Sequence, residues 1–144
     1  KFLSSENQKK FERNCLFEIK KRKIKFLCLA GFMKVLSENF IKTFGHKIIN
    51  IHHSFLPAFV GAKPYHSAYK RGVKIIGATS HYVTEALDAG PIIEQDVERV
   101  SHTHAIEDLI AKGRDLEKIV LANAIKLYLK RKVMVFNNKT VIFS

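Results

Sequence analysis

Two short stretches of this sequence carry residue types that could do acyl chemistry. The first is Asn50-Ile51-His52-His53-Ser54. Residues two apart on an extended strand point to one face, so Asn50 and His52 share a side. A neutral carboxamide beside an imidazole can donate to a developing oxyanion and move a proton. The bland alternative is a pair of hydrogen-bonded polar residues at a strand end. The second stretch is Leu87-Asp88-Ala89-Gly90-Pro91, one acid in a small-residue loop before a Gly-Pro turn. An Asp in such a loop often bonds its own backbone. Aimed at a neighbouring histidine, it would instead orient or polarise the ring.

Seven histidines occur in all, and His46, His66, His81, His102 and His104 fit no metal-ligand spacing. His102 and His104 flank Thr103 near an expected helix start, where capping or solvent exposure explains them. No nucleophile elbow, HExxH or CxxC pair is present. The residues therefore favour acid–base and oxyanion chemistry with no covalent nucleophile, no metal and no cofactor.

The elements that must position these residues read as alternating helix and strand. Ser4 and Ser5 precede a helical pattern with Phe11, Cys15, Leu16 and Ile19 on one face. Residues 24–30 read as a buried strand that Gly31 breaks. Ser37 caps a short helix over 38–44, ended by Gly45. A second buried strand, 48–51, runs into His52, and strand C-termini are where open α/β sheets bind ligands. Residues 55–63 read as loop, and Pro64 opens a helix ending near Arg71, with Gly72 as its stop. Strands follow over 74–83 and 92–100. Ser101 and Thr103 are the expected caps of a long helix with Leu109, Leu116, Ile119, Val120 and Ala124 on its apolar stripe, kinked or divided at Gly113. Asn137-Asn138 joins the two strands of a closing hairpin.

A length of 144 residues suits one domain with a sizeable core. No apolar run approaches the ~20 residues of a membrane-spanning helix, so no membrane partner is expected. Cys15 and Cys28 read as small buried hydrophobes in a reducing compartment, and nothing resembles a secretory signal, so a cytoplasmic protein is expected. The net charge of +12 gathers in Lys20, Lys21, Arg22, Lys23 and Lys25 and in Lys130, Arg131 and Lys132. Both clusters fall at expected helix ends, where cations suit the macrodipole, and no aromatics interleave them. They read as solvated helix ends, so no nucleic-acid partner is expected.

At the residues that could do chemistry, the chain resembles the formyltransferase-fold family. Its members pair an Asn-Ile-His segment at a strand end with an Asp in a later loop ending in Gly; here these are Asn50-Ile51-His52 and Leu87-Asp88-Ala89-Gly90. Leu29-Ala30-Gly31-Phe32-Met33-Lys34-Val35-Leu36 looks like the family's folate-contacting segment. The resemblance runs from about residue 24 to the end. Glycinamide ribonucleotide formyltransferases usually continue with Pro-Ser, whereas His52-His53-Ser54-Phe55-Leu56-Pro57 is similar to the formyltetrahydrofolate deformylase branch. So are Ala78-Thr79-Ser80-His81-Tyr82-Val83, Gly90-Pro91-Ile92-Ile93-Glu94-Gln95-Asp96, and Gly113-Arg114-Asp115 with Glu117. Gly31-Phe32 is closer to the transformylase form.

The resemblance implies an α/β, Rossmann-like formyltransferase fold, truncated at the N-terminus, with a C-terminal helix and β-hairpin. Residues 1–144 would be a partial catalytic domain lacking an N-terminal regulatory ACT domain and the first βα units. The implied reaction is hydrolysis of 10-formyltetrahydrofolate to formate and tetrahydrofolate, supplying formate for purine biosynthesis. The alternatives are a phosphoribosylglycinamide formyltransferase or an inactive remnant. Asn50, His52 and Asp88 would be catalytic, and Met33, Lys34, Val35, Leu36, His53, Thr84, Glu85 and Gly90 would bind the folate substrate. A homo-oligomer is compatible with the resemblance.

Overall fold

The computed structural model describes residues 5–32, 34–58 and 63–143. Four strands, β1 (Leu27–Ala30), β2 (Ile48–His52), β3 (Ile75–Tyr82) and β4 (Ile92–Arg99), form one sheet in that spatial order. β1 and β2 are parallel; the other two pairs are antiparallel. Parallel neighbours need a crossover, supplied here by α2 (Glu38–Phe44). Helix α1 (Ser5–Lys21) precedes the sheet, α3 (Pro64–Arg71) joins β2 to β3, and α4 (Ile106–Leu129) follows β4. A hairpin of β5 (Val133–Phe136) and β6 (Lys139–Ile142) ends the described chain.

Helical layers on both sides explain why β2 is apolar almost throughout. Ile48 packs with Leu36, Phe40, Ile41 and Phe44, while Ile49 packs with Tyr82 and Ile93 of the sheet and with Ala124 of α4. Ile51 joins Ala78, Leu116 and Val120. A strand covered on both faces reads as a continuous apolar run, not as an alternation.

Local chemistry sets the element ends. The Ser37 hydroxyl accepts from Phe40 N–H, and Gly45, at φ 56°, donates its N–H to Ile41 O, so both ends of α2 are satisfied. Pro64 begins α3, and Gly72 leaves it at φ 69°. Asn137 and Asn138 take φ 46° and 57°, the left-handed pair that a two-residue hairpin turn needs.

Several expectations need correction. β1 begins only at Leu27, and it alternates half-buried with exposed residues instead of being buried throughout. It pairs only with β2 among the described residues, and Cys28 on it is exposed, contrary to the expected buried thiol. On α1, Phe11 is exposed and its neighbour Glu12 is buried, because Glu12 is bonded to Ser37. Neither Ser101 nor Thr103 caps α4. Their hydroxyls bond each other and Ser101 bonds His104, while Ala105 is the cap and donates its N–H to Asp108. Gly113 neither kinks nor divides α4, whose 24 residues are continuous. A Cβ at Gly113 would overlap the Tyr65 phenol, so packing between α3 and α4 offsets the ~1 kcal/mol that glycine costs a helix. Ser4, Met33, Gly61 and the rest of 59–62 lie outside the described residues. No helix among them is long and apolar enough to cross a membrane.

Candidate active site

Asn50 and His52 occupy the end of β2, where the antiparallel register sets Asn50 across from His81 and His52 across from Thr79. Both side chains are buried. The exit from β2 is fixed by a polar knot on β3 and β4. Thr79 Oγ1 donates to Ser54 O (2.8 Å) and accepts from Leu56 N–H (3.0 Å) and Gln95 Nε2 (2.8 Å). Burying so many polar atoms is tolerable only because each is bonded. The knot anchors the chain just beyond His52 and His53.

Asp88 arrives from the loop between β3 and β4. Tyr82 N–H donates to Pro91 O (2.9 Å), closing the base of that loop. Gly90 passes so close to the end of β3 that a Cβ would overlap the Tyr82 carbonyl. Asp88 itself is left-handed, φ 52°. A non-glycine residue there stores roughly 1–3 kcal/mol and persists only where its surroundings over-determine it. The hairpin adds two ties: Asn138 Nδ2 donates to Ala89 O (3.2 Å), and Thr140 Oγ1 donates to Ile92 O.

The result is a carboxylate between two imidazoles. His52 Nδ1 lies 3.1 Å from Asp88 Oδ2, and His81 Nε2 lies 3.5 Å from Asp88 Oδ1. The first separation lets an Nδ1–H donate to the carboxylate; the second is too long for a well-formed hydrogen bond. His81 Nδ1 sits 2.9 Å from Tyr82 O, a carbonyl that can only accept, so the proton belongs on Nδ1. In the neutral ring Nε2 is then an acceptor, and it faces Asn50 Nδ2 at 3.3 Å. The orientation of the Asn50 amide is thereby fixed through His81 to the backbone. Asn50 Oδ1 is buried with no hydrogen-bond partner among the described residues. An irregularity in the β3–β4 register falls at the Ser80–His81 step, where such bulges re-aim side chains.

The structure thus brings Asn50, His52 and Asp88 together. It adds His81, which sequence reasoning set aside with the other histidines. Two signals were present: a polar run, Thr79-Ser80-His81, inside an apolar strand, and its place in the β2–β3 pairing. Asn50, His81 and Asp88 line one cavity with Leu29, Phe32, Lys34, Val35, Leu36, Val83 and Thr84. Of the expected substrate-binding residues, Lys34, Val35, Leu36 and Thr84 therefore reach it. Glu85 is exposed on the loop outside this lining. Gly90 borders a different hollow with Asn138 and Lys139, and His53 borders another with Tyr65. Met33 lies outside the described residues. The cavity holds about 40 Å³, room for a few waters or a formyl-sized group but not a ring system. Among the described residues no group of three or more His, Cys, Asp or Glu could hold a metal.

Known proteins share this arrangement of chain and sheet. A formyltetrahydrofolate deformylase from Synechocystis sp. is 53% identical over 142 residues, covering 99% of this chain and 50% of that protein. The crystal structure of one from Burkholderia mallei superposes with a TM-score of 0.91 at 46% identity, covering 99% of this chain and 50% of that one. A phosphoribosylglycinamide formyltransferase from Anaplasma phagocytophilum has the same fold at 36% identity, with a TM-score of 0.86 over 92% of this chain and 65% of that one. The chain spans about half the length of the curated relatives it matches. The sequence profile described as Formyl transferase matches residues 2–125. The strand-end Asn50 and His52 and the loop Asp88 lie inside that matched span, and the chain belongs to the formyl transferase family.

Proposed function

We propose that this chain is part of a formyltransferase-type catalytic domain that hydrolyses 10-formyltetrahydrofolate to formate and tetrahydrofolate in the cytoplasm. The observation that carries the reading is the Asp88 carboxylate 3.1 Å from His52 Nδ1, beside the buried Asn50 amide at the wall of a small cavity.

In this reading the formyl group enters the cavity. The pterin ring lies along its mouth, against Val35, Leu36 and Thr84, with Lys34 near the anionic tail. A water oxygen adds to the formyl carbon, and the carbonyl electrons move onto the formyl oxygen. Asn50 Nδ2, which has a second N–H beyond the one facing His81, and the His52 imidazole donate to that oxyanion. Preorganised donors of this kind contribute roughly 3–4 kcal/mol each. Asp88 keeps the His52 ring oriented and takes the proton from the attacking water. The tetrahedral species then collapses, the bond from formyl carbon to folate nitrogen breaks, and the nitrogen receives that proton. The left-handed backbone at Asp88 supports the assignment, since strain of this kind gathers where geometry must be held.

The test is formate release from 10-formyltetrahydrofolate by the native-length protein without any amine acceptor. Formate under those conditions is the expected result. Turnover that begins only when glycinamide ribonucleotide is added would overturn hydrolysis in favour of formyl transfer.

A further inference from the structure

A second line of contacts leads from His52 away from the Asp88 carboxylate. The His53 ring stacks on His52 with centroids 5.2 Å apart and planes 30° apart. Tyr65 lies next, its ring centroid 6.0 Å from that of His53. Tyr65 Oη donates to Glu117 Oε1 on α4 at 2.6 Å. Three elements meet here: the end of β2, α3 and α4.

The fit around Tyr65 is tight. The residue is buried, packs with Ala68, Ile76, Val100 and Leu109, and lies against Gly113 where no Cβ fits. Burial first, then the bond to Glu117, holds the phenol well above its ordinary range, so it remains a donor. A phenol–carboxylate bond is charge-assisted and directional. Anchored at its tip and pressed on its face, the Tyr65 ring has one orientation, and that ring confines His53. A loose imidazole at His52 would be costly, because small misplacements of a reacting group lose large factors in rate.

We propose that His53, Tyr65 and Glu117 are positioning residues: Glu117 fixes Tyr65, Tyr65 confines His53, and His53 holds the His52 imidazole facing Asp88. The proposal rests on the reading of His52 as part of the reacting site. It assigns these three residues no contact with substrate.

The experiment uses the native-length protein with Tyr65→Phe, Glu117→Leu, Glu117→Gln and His53→Ala, and Lys118→Ala as a surface control. Two readouts are taken: steady-state formate release, and the ring nitrogen and proton NMR signals of His52. Tyr65→Phe keeps the ring and removes the anchor. It and Glu117→Leu should lower kcat roughly 5–20-fold with KM within about twofold. Glu117→Gln still accepts from the phenol and should stay within about twofold of wild type. His53→Ala should match or exceed the loss in Tyr65→Phe. The His52 signals should move in Tyr65→Phe and Glu117→Leu and stay in place in Glu117→Gln. Unchanged kcat and unchanged His52 signals in a folded Tyr65→Phe would overturn the proposal. So would equal losses in Glu117→Gln and Glu117→Leu, or a loss that appears in KM and thermal stability alone. If the wild-type protein releases no formate, the hydrolytic reading has failed, and the His52 signals by themselves decide the positioning chain.

Discussion

Two carboxylates set into this molecule have contrasting surroundings. Glu12, 5% exposed on α1, accepts from Gln8 Nε2 (3.1 Å), Ser37 N–H (3.0 Å) and the Ser37 hydroxyl. Gln8 also donates to Val35 O (2.7 Å), so the cluster fastens α1 to the segment that forms one wall of the cavity. Burial pushes the Glu12 carboxyl up, but the bonds from Ser37 and Gln8 outweigh it and hold the group below its ordinary 4.5. Asp88 is half-buried, lies between two imidazoles, lines an open cavity and sits on strained backbone. Amide and hydroxyl donors make a carboxylate a fastener. Titratable partners and access to a small molecule suit it to be a reagent, the role proposed for Asp88.

The sharpest way to break that contrast is Asp88→Asn. Asparagine tolerates left-handed backbone and keeps the shape, so the fold should survive while the base is lost. Formate release should fall by ~10²–10⁴ with little change in KM and an unaltered circular dichroism spectrum. His52→Ala should cost a similar factor, and the double variant much less than the product of the two, since the pair acts as a unit. Asn50→Ala removes the proposed oxyanion donor and should lower kcat by ~10²–10³, read in the same assay. Near-normal turnover in a folded Asp88→Asn would make Asp88 as structural as Glu12.

Glu12→Gln tests the other side. It sets an amide among donors arranged for a charge, and it should cost about 1–3 kcal/mol in urea unfolding with kcat unchanged. A loss of kcat at full stability would instead tie Glu12 to the chemistry. The smallest effect is its pH dependence. A folded carboxyl held below its unfolded value contributes stability above pH ~4.5, lost as pH falls through the lower folded value. The stability gap between wild type and Glu12→Gln should therefore narrow on acidification below pH ~4.5 in matched urea titrations, and a constant gap would refute the assignment.

What was legible in the sequence follows from how local each cause is. Gly45, Pro64, Gly72 and Asn137-Asn138 act on backbone angles within a residue or two, and the elements end where they say. Asn50, His52 and Asp88 were legible as two short motifs. His81 was not, because its meaning comes from strand register: across β2 it meets Asn50, and across the loop it meets Asp88. Gly113 read as a break because its reason is the Tyr65 ring on another helix. Ser101 and Thr103 read as caps because nothing local says that they will bond each other and His104 first. Phe11 looked like core by polarity alone, yet it is exposed, while its neighbour Glu12 is buried and bonded to the distant Ser37.

The two ties from the hairpin to the Asp88 loop bear on the order in which the molecule is assembled. Asn138 reaches Ala89 across 49 positions and Thr140 reaches Ile92 across 48, whereas β3 and β4 meet over one short connection. Closing a longer loop costs more entropy, by about 0.6 kcal/mol for each doubling, and distant contacts tend to form late. On that cost, the pairing of β3 and β4 is expected to bring Asp88 near its place first, and the docking of β5 and β6 to complete it. The sheet thus has its fold before the Asp88 carboxylate is fully held, and the hairpin, whose two ties reach none of the residues proposed for the chemistry, completes the placement of one of them.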